Sequence, residues 1–155
     1  MNELGRATAT LYEAFHGYPL KTKIEGCRHC KLDAAEASLH RRPLHELAWA
    51  DLGVYPFKAM TTFGDESDFK HFLPRILELY VLDYEGAPDV FIIFGKLNYA
   101  SWTSWPKSET RAIRQFVSAW RGALAASQRE STENWQLDEL ESALVESDYD
   151  AEGAD

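Results

Sequence analysis

The chain has 155 residues, of which 45% are hydrophobic and 13% aromatic, and its net charge is −9. This length and composition predict one folded domain with a substantial core, and they exclude an intrinsically disordered chain. The longest apolar run, Val90–Phe94, is far shorter than the roughly 20 residues of a membrane span, and the first residues lack a signal-peptide pattern. The sequence therefore predicts a soluble, cytoplasmic protein with no membrane partner.

The charge is unevenly distributed along the chain. Residues 1–129 contain all sixteen bases and fifteen acids, whereas residues 130–155 contain ten acids and no base. This division predicts a nearly neutral helical core domain, 1–129, followed by an acidic C-terminal helix with a disordered tail, 130–155. A nearly neutral core argues against a nucleic-acid binder, and the acidic appendage predicts attraction to a basic protein partner.

In the first part of the chain, apolar residues recurring at intervals of three and four predict helices. Residues 20–32 have no such period and predict a loop. Asp33 and Glu36 have the spacing of a capping box and predict a helix start, and Pro43 requires that this helix has ended. The helices predicted in this part run over residues 2–16, from Asp33 to about Arg42, and over 44–63 with a break near Gly53.

The strongest helical pattern follows Gly64, which ends the preceding segment. Asp65 or Ser67 can cap the new helix by accepting a hydrogen bond from a backbone N–H group. Pro74 removes one backbone hydrogen bond and predicts a kink or a short first turn. We expect this helix to be the core element around which the others pack, because one face carries six large apolar residues: Phe69, Phe72, Leu73, Ile76, Leu77 and Tyr80.

The second part of the chain predicts three further helices. They run over residues 90–100, 107–127 and 133–145, after a turn at 85–88. The middle one carries a basic face formed by Lys107, Arg111, Arg114 and Arg121. We expect the last helix to fold back on it after a turn at 128–132, so that part of the acidic appendage is neutralised internally. Six or seven helices with short connections predict an all-α single domain, a compact helical bundle with a mobile acidic C-terminal tail.

The two cysteines of the chain, Cys27 and Cys30, form a C-x-x-C motif. In a cytosolic protein such a pair is more typical of a metal or redox site than of a structural disulfide. A redox motif of the thioredoxin kind needs a βαβ setting, which an all-α chain does not supply. A structural zinc ion needs two further ligands, and histidine is the expected source. His40 and His45 are one candidate source, and His71 is the other. The alternative interpretation is a pair of free thiols on a loop. The candidate zinc ligands are Cys27, Cys30, His71 and His40.

A polar cluster stands at the start of the strongest helix. One interpretation is a metal-dependent hydrolase that uses His71 with Asp68 and Glu66 near the Cys27/Cys30 loop. The other is structural, because acids at a helix N-terminus stabilise the helix dipole by about 0.3–1 kcal/mol each. Asp68 and His71 also have the i, i+3 spacing of a helical pair. No second acidic cluster or nucleophile motif converges on them, so the structural interpretation is favoured.

Four motifs between residues 24 and 121 resemble those of a group of uncharacterised bacterial proteins. They are I-E-G-C-x-x-C at Ile24–Cys30, F-K-A-M-T-T-F-G-D at Phe57–Asp65, D-F-K-H-F-L-P-R-I-L-E-L at Asp68–Leu79 and G-K-L-x-Y-A-x-W at Gly95–Trp102. The resemblance implies that Cys27, Cys30 and His71 belong to shared motifs and to one site, and it implies no activity. His45 and the acidic tail lie outside it.

Together these patterns predict a small α-helical protein-interaction module of the adaptor, regulatory or toxin-neutralising type, in which a Cys/His zinc site is an optional structural clip. The hydrolase is the alternative, and the absence of a converging catalytic set favours the interaction module. The acids expected to bind a partner are Glu139, Glu141, Glu146, Asp148 and Asp150.

Overall fold

A computed structural model of the chain describes residues 2–130 and 135–153, except for the side chains of 128–130. Within those residues the chain forms eight α-helices and no strand, so the predicted all-α fold is confirmed. Two 3₁₀ turns, Leu44–Glu46 and Trp102–Ser104, complete the secondary structure of this part. The helices are α1 (Glu3–Phe15), α2 (Asp33–Leu39), α3 (Trp49–Leu52), α4 (Tyr55–Lys58), α5 (Glu66–Leu82), α6 (Phe91–Tyr99), α7 (Lys107–Glu130) and α8 (Trp135–Glu146).

Several predicted boundaries differ from the observed ones for local reasons. The segment predicted as one interrupted helix over 44–63 consists of a 3₁₀ turn, α3 and α4. The capping box predicted at Asp33 is wrong, because Leu32 precedes α2 and no side chain caps it. Glu36 instead accepts a hydrogen bond from the Ile24 N–H group. The turn predicted to begin at Gln128 does not begin there, because α7 continues to Glu130. The rest of that turn and the predicted helix start at Glu133 lie outside the described residues.

The contacts divide the chain into two units, one formed by residues 15–88 and the other by residues 1–14 with 89–155. The acidic residues after 134, which the sequence separates as an appendage, therefore belong to the same unit as α6 and α7. No helix in the described part of the chain is both long and apolar enough to cross a membrane.

Helix α5 forms the core of the unit of residues 15–88. Ten of its seventeen residues are buried, including the whole predicted apolar stripe, and the helix continues through Pro74. The ring of Tyr80 meets Trp49 of α3 edge-on at 5.0 Å. The ring of Phe72 lies 4.9 Å from Tyr55 of α4. Because burying one such side chain contributes about 1.5–3 kcal/mol, this stripe holds the short helices in place.

The start of α5 is a reciprocal cap. The Asp65 side chain accepts a hydrogen bond from the Asp68 N–H group at 3.0 Å, and Asp68 accepts one from the Asp65 N–H group at 2.8 Å. Gly64 precedes them with a φ of +72°, a left-handed conformation that favours glycine. A Cβ atom there would lie 2.7 Å from Asp68 Oδ2 and 2.9 Å from Ile24 Cγ2. The tight cap therefore requires glycine at residue 64.

In the other unit, α8 packs against α6 and α7. The chain after α8 also packs in this unit. The Tyr149 ring stacks on Trp102 at 5.5 Å and meets Phe94 edge-on at 5.7 Å. Asn98 donates a hydrogen bond to the Ser147 carbonyl. The sequence predicted a mobile tail in this region. These contacts instead hold residues 147–150 against the helices.

We expect Gly64→Ala to lower the free energy of unfolding by about 1–3 kcal/mol, because it combines backbone strain with a clash at the α5 cap. Gly95→Ala is the matched control. Gly95 lies in the middle of α6, and a Cβ atom there would meet nothing within 4 Å. The free energy of unfolding of this control is expected to rise by about 0.5–1 kcal/mol. Urea unfolding monitored by circular dichroism measures both, and equal effects of the two substitutions would contradict the cap geometry.

We expect Tyr149→Ala to lower the free energy of unfolding by about 2 kcal/mol, because the ring packs on Trp102 and Phe94. Tyr149→Phe is expected to stay within about 0.5 kcal/mol of the native protein. Its hydroxyl is buried and has no hydrogen-bond partner in the described residues. Urea unfolding measures both variants. An alanine variant as stable as the native protein would contradict a stabilising role of the Tyr149 ring.

Candidate functional site

The C-x-x-C loop is fastened to the segment that precedes α5. Cys27 donates a backbone hydrogen bond to the Thr62 carbonyl at 2.8 Å, and Gly64 donates one to the Glu25 carbonyl at 2.6 Å. Gly26 and Phe63 form an antiparallel bridge between these two bonds. The motifs at Ile24–Cys30 and Phe57–Asp65, which are far apart in the sequence, are therefore neighbours in space.

The two cysteines lie in one tight turn. The Cys30 N–H group donates to the Cys27 carbonyl at 3.2 Å, and both thiols are free and partly exposed. The hydrogen bond from the Cys30 thiol lowers the pKa of Cys27, assisted by the His29 N–H group and the charge of Lys58. The same hydrogen bond, with burial, raises the pKa of Cys30. Cys27 is therefore the thiol of the pair that ionises first.

A cavity of about 360 Å³ lies beside Cys27. Cys27 is among the residues that line it, whereas Cys30 is not. The charged lining residues are of both signs: Lys23, Arg28, Lys31, Glu25, Asp33 and Glu36. The cavity therefore presents a polar, mixed-charge surface to one sulfur of the pair.

The structure brings Cys27 and Cys30 together, but the two histidines predicted to join them are engaged elsewhere. The His40 ring contacts the Glu36 carboxylate. His71 Nδ1 donates to the Tyr18 carbonyl at 2.8 Å. Among the described residues, no group of three or more His, Cys, Asp or Glu side chains is placed to hold a metal ion. The cysteines alone supply two of the four ligands of a structural zinc site, so the zinc ion stays a prediction.

The polar cluster at the start of α5 is engaged in structural contacts. Lys21 lies 2.7 Å from Asp65 and 3.3 Å from Asp68, between the two capping carboxylates. The hydrogen bond from Lys21 lowers the pKa of Asp65, whereas burial raises the pKa of Asp68. Burial lowers the pKa of His71, opposed by its hydrogen bond to Tyr18 and by the charge of Asp68. These contacts anchor the chain around residues 18–21 to α5, and the hydrolase stays an untested alternative.

Part of the acidic appendage is neutralised within its own unit, as the sequence predicted. Arg121 donates two hydrogen bonds to the Glu141 carboxylate, at 2.7 and 3.0 Å. Arg114 donates to the Asp150 carbonyl at 2.9 Å and lies 3.3 Å from its carboxylate. Two of the five acids predicted to bind a partner are therefore already paired with arginines of α7.

The remaining predicted acids lie at two places. Asp148 lines a cavity of about 350 Å³ together with Arg121 and Glu141. Glu139 and Glu146 line a separate cavity of about 240 Å³, which we call the acidic groove. The residues of the acidic groove are Asp89, Phe91, Asp138, Glu139, Ser142, Ala143 and Glu146.

Five residues of the acidic groove were not anticipated from the sequence: Asp89, Phe91, Asp138, Ser142 and Ala143. Asp138 stands four and eight residues before Ser142 and Glu146, so helical spacing alone places the three on one face. Asp89 and Phe91 lie at the start of α6, and no local pattern connects them with α8. Only the packing of α6 on α8 joins them.

Comparisons with known proteins add no relative. No protein-family model matches the chain. No curated protein matches it. No solved structure matches it. The resemblance to a group of bacterial proteins stays a prediction.

The lowered pKa of His71 predicts a specific pH dependence of stability. The folded protein binds a proton at His71 less readily than the unfolded chain, so the free energy of unfolding falls as the pH drops below about 6.5. His71→Gln keeps a donor for Tyr18 but does not titrate. The variant is expected to be less stable by about 1 kcal/mol at neutral pH, and this difference is expected to shrink on acidification.

Urea unfolding of the native protein and of His71→Gln, across a series of pH values from neutral to mildly acidic, measures the effect. The other titrating groups are common to both proteins and cancel in the comparison. Parallel stability curves for the two proteins would contradict a burial-lowered pKa at His71.

Proposed function

We propose that this protein is a small cytoplasmic α-helical interaction module, of the adaptor, regulatory or toxin-neutralising type, which binds a basic segment of a protein partner in the acidic groove. The observation that carries the proposal is the composition of that groove. Four carboxylates, from Asp89, Asp138, Glu139 and Glu146, surround one cavity beside an exposed aromatic ring.

The lining of the acidic groove suits the side chains of lysine and arginine. Phe91 has 40% of its surface exposed and lies among the groove residues with Ala143. Arginine and lysine have apolar stems that pack on such surfaces, while their charged heads form hydrogen bonds with carboxylates. A basic residue placed here would satisfy both parts of the groove at once.

The groove also favours a basic peptide over a single inorganic cation. Divalent cations need several oxygen ligands converging on one point at about 2.0–2.6 Å. Among the side chains described, those of residues 2–127 and 135–153, no group of three carboxylate, imidazole or thiol groups converges in that way. Charges distributed along a peptide match carboxylates distributed along a groove, and they also speed association by long-range attraction.

The test compares two variants of equal net charge. Asp138→Asn with Glu146→Gln removes two charges from the acidic groove. Glu46→Gln with Glu85→Gln removes two charges from exposed positions in the unit of residues 15–88. A fluorescein-labelled oligo-arginine peptide serves as the probe, and fluorescence anisotropy gives its Kd at low and high salt.

We expect the groove variant to bind the peptide roughly tenfold more weakly than the native protein, a loss of about 1.4 kcal/mol. The control variant is expected to stay within about twofold, because neither Glu46 nor Glu85 lines the acidic groove. Equal weakening in both variants would mean that net charge, and not the groove, attracts the peptide. Binding that does not change with salt would contradict the electrostatic basis of the proposal.

A further inference from the structure

The turn that holds the two cysteines is already arranged to close into a disulfide. A disulfide requires Cα atoms about 4.4–6.8 Å apart, and a turn closed by a hydrogen bond between its first and fourth residues brings those Cα atoms within about 7 Å. The bond from the Cys30 N–H group to the Cys27 carbonyl makes such a turn. The backbone of this turn therefore places the two cysteines within the span that a disulfide can bridge.

The two sulfurs are not equivalent in their access to a reactant. Cys27 lines the 360 Å³ cavity, and Cys30 does not. A cavity of this size lies within the range of about 300–1,000 Å³ that is usual for small-ligand sites. A molecule in the cavity therefore meets Cys27 first, with Cys30 placed to react with whatever is bonded to Cys27.

Dithiol exchange depends on the placement of the two cysteines. An accessible thiol reacts with a disulfide to form a mixed disulfide, and a second thiol close by can then resolve it. The βαβ setting expected from thioredoxin is absent from the described residues, but the exchange chemistry itself needs only an accessible thiolate and a neighbouring thiol.

We propose that Cys27 and Cys30 form a dithiol that exchanges with small zwitterionic peptide disulfides, with Cys27 as the attacking thiol and Cys30 as the resolving thiol. The substrate class follows from the cavity, because acids and bases both line it and both ends of a zwitterionic peptide find a partner there. This site is independent of the acidic groove, and its chemistry does not depend on the function proposed for that groove.

The reaction balances without any further oxidant or reductant. The Cys27 thiolate attacks one sulfur of the disulfide R–S–S–R, and the S–S bond breaks. One RS⁻ group leaves and takes up the proton that Cys27 released. The Cys30 thiol then loses its proton and attacks the Cys27 sulfur, which breaks the mixed disulfide and releases the second RS⁻ group, protonated to RSH. The two protein thiols are oxidised to a Cys27–Cys30 disulfide, and one substrate disulfide is reduced to two thiols.

The test uses the full-length reduced protein and glutathione disulfide as the probe, with mass spectrometry of the intact protein as the readout. The native protein is expected to form the internal disulfide without accumulating a mixed disulfide. Cys30→Ser is expected to accumulate glutathione on Cys27. Cys27→Ser, the matched control, is expected to react at least about tenfold more slowly, because its remaining thiol does not line the cavity.

Circular dichroism of both serine variants checks that each retains the helical fold, so that a slow reaction reports on the thiol. Zinc analysis of the purified native protein is done alongside. Equal reaction rates of the two variants would overturn the assignment of roles. A native protein that keeps both thiols in excess glutathione disulfide would overturn the exchange. Bound zinc that blocks the reaction until a chelator is added would assign the pair to a metal site instead.

Discussion

The backbone bonds that join residues 25–27 to residues 62–64 are the constraint on which the unit of residues 15–88 depends. They end in Gly64, whose left-handed conformation directs the chain into the cap of α5. The same bonds hold Cys27 at a fixed position beside its cavity. A loop without regular structure is thereby fixed to a segment that leads into the core helix, because the two segments satisfy each other's polar backbone groups.

The cap of α5 illustrates why clustered charges are not by themselves an active site. Asp65 and Asp68 each accept a backbone N–H group, and Lys21 stands between them. His71 donates to the Tyr18 carbonyl one turn further along. Each of these polar groups satisfies a donor or acceptor near the protein core, and leaving such a group unsatisfied would cost about 1–3 kcal/mol. These structural contacts account for the position of each charged or polar group in the cluster.

In the other unit, some acids contact arginines of α7 and others line the acidic groove. Glu141 and Asp150 meet Arg121 and Arg114, which helps to join α7 to α8 and to the chain after it. Such exposed pairs each contribute little to stability. The stacking of Tyr149 on Trp102 supplies the apolar contact that the charged sequence around it lacks. Four other carboxylates line the acidic groove, and the proposed recognition of a basic segment rests on their grouping around one cavity.

The sequence by itself determined the all-α class, the apolar stripe of α5, a helix start just after Gly64 and the closeness of Cys27 and Cys30. Each of these depends on residues a few positions apart, whose relation is set by the geometry of one helix or one turn. Only the tertiary structure decided that Cys27 and not Cys30 lines a cavity, that Glu36 accepts a hydrogen bond from Ile24, and that Asp89 joins α8 in one groove. Those outcomes depend on which segments, distant in sequence, pack together. No local spacing encodes that choice, because many side chains can satisfy the same short-range pattern.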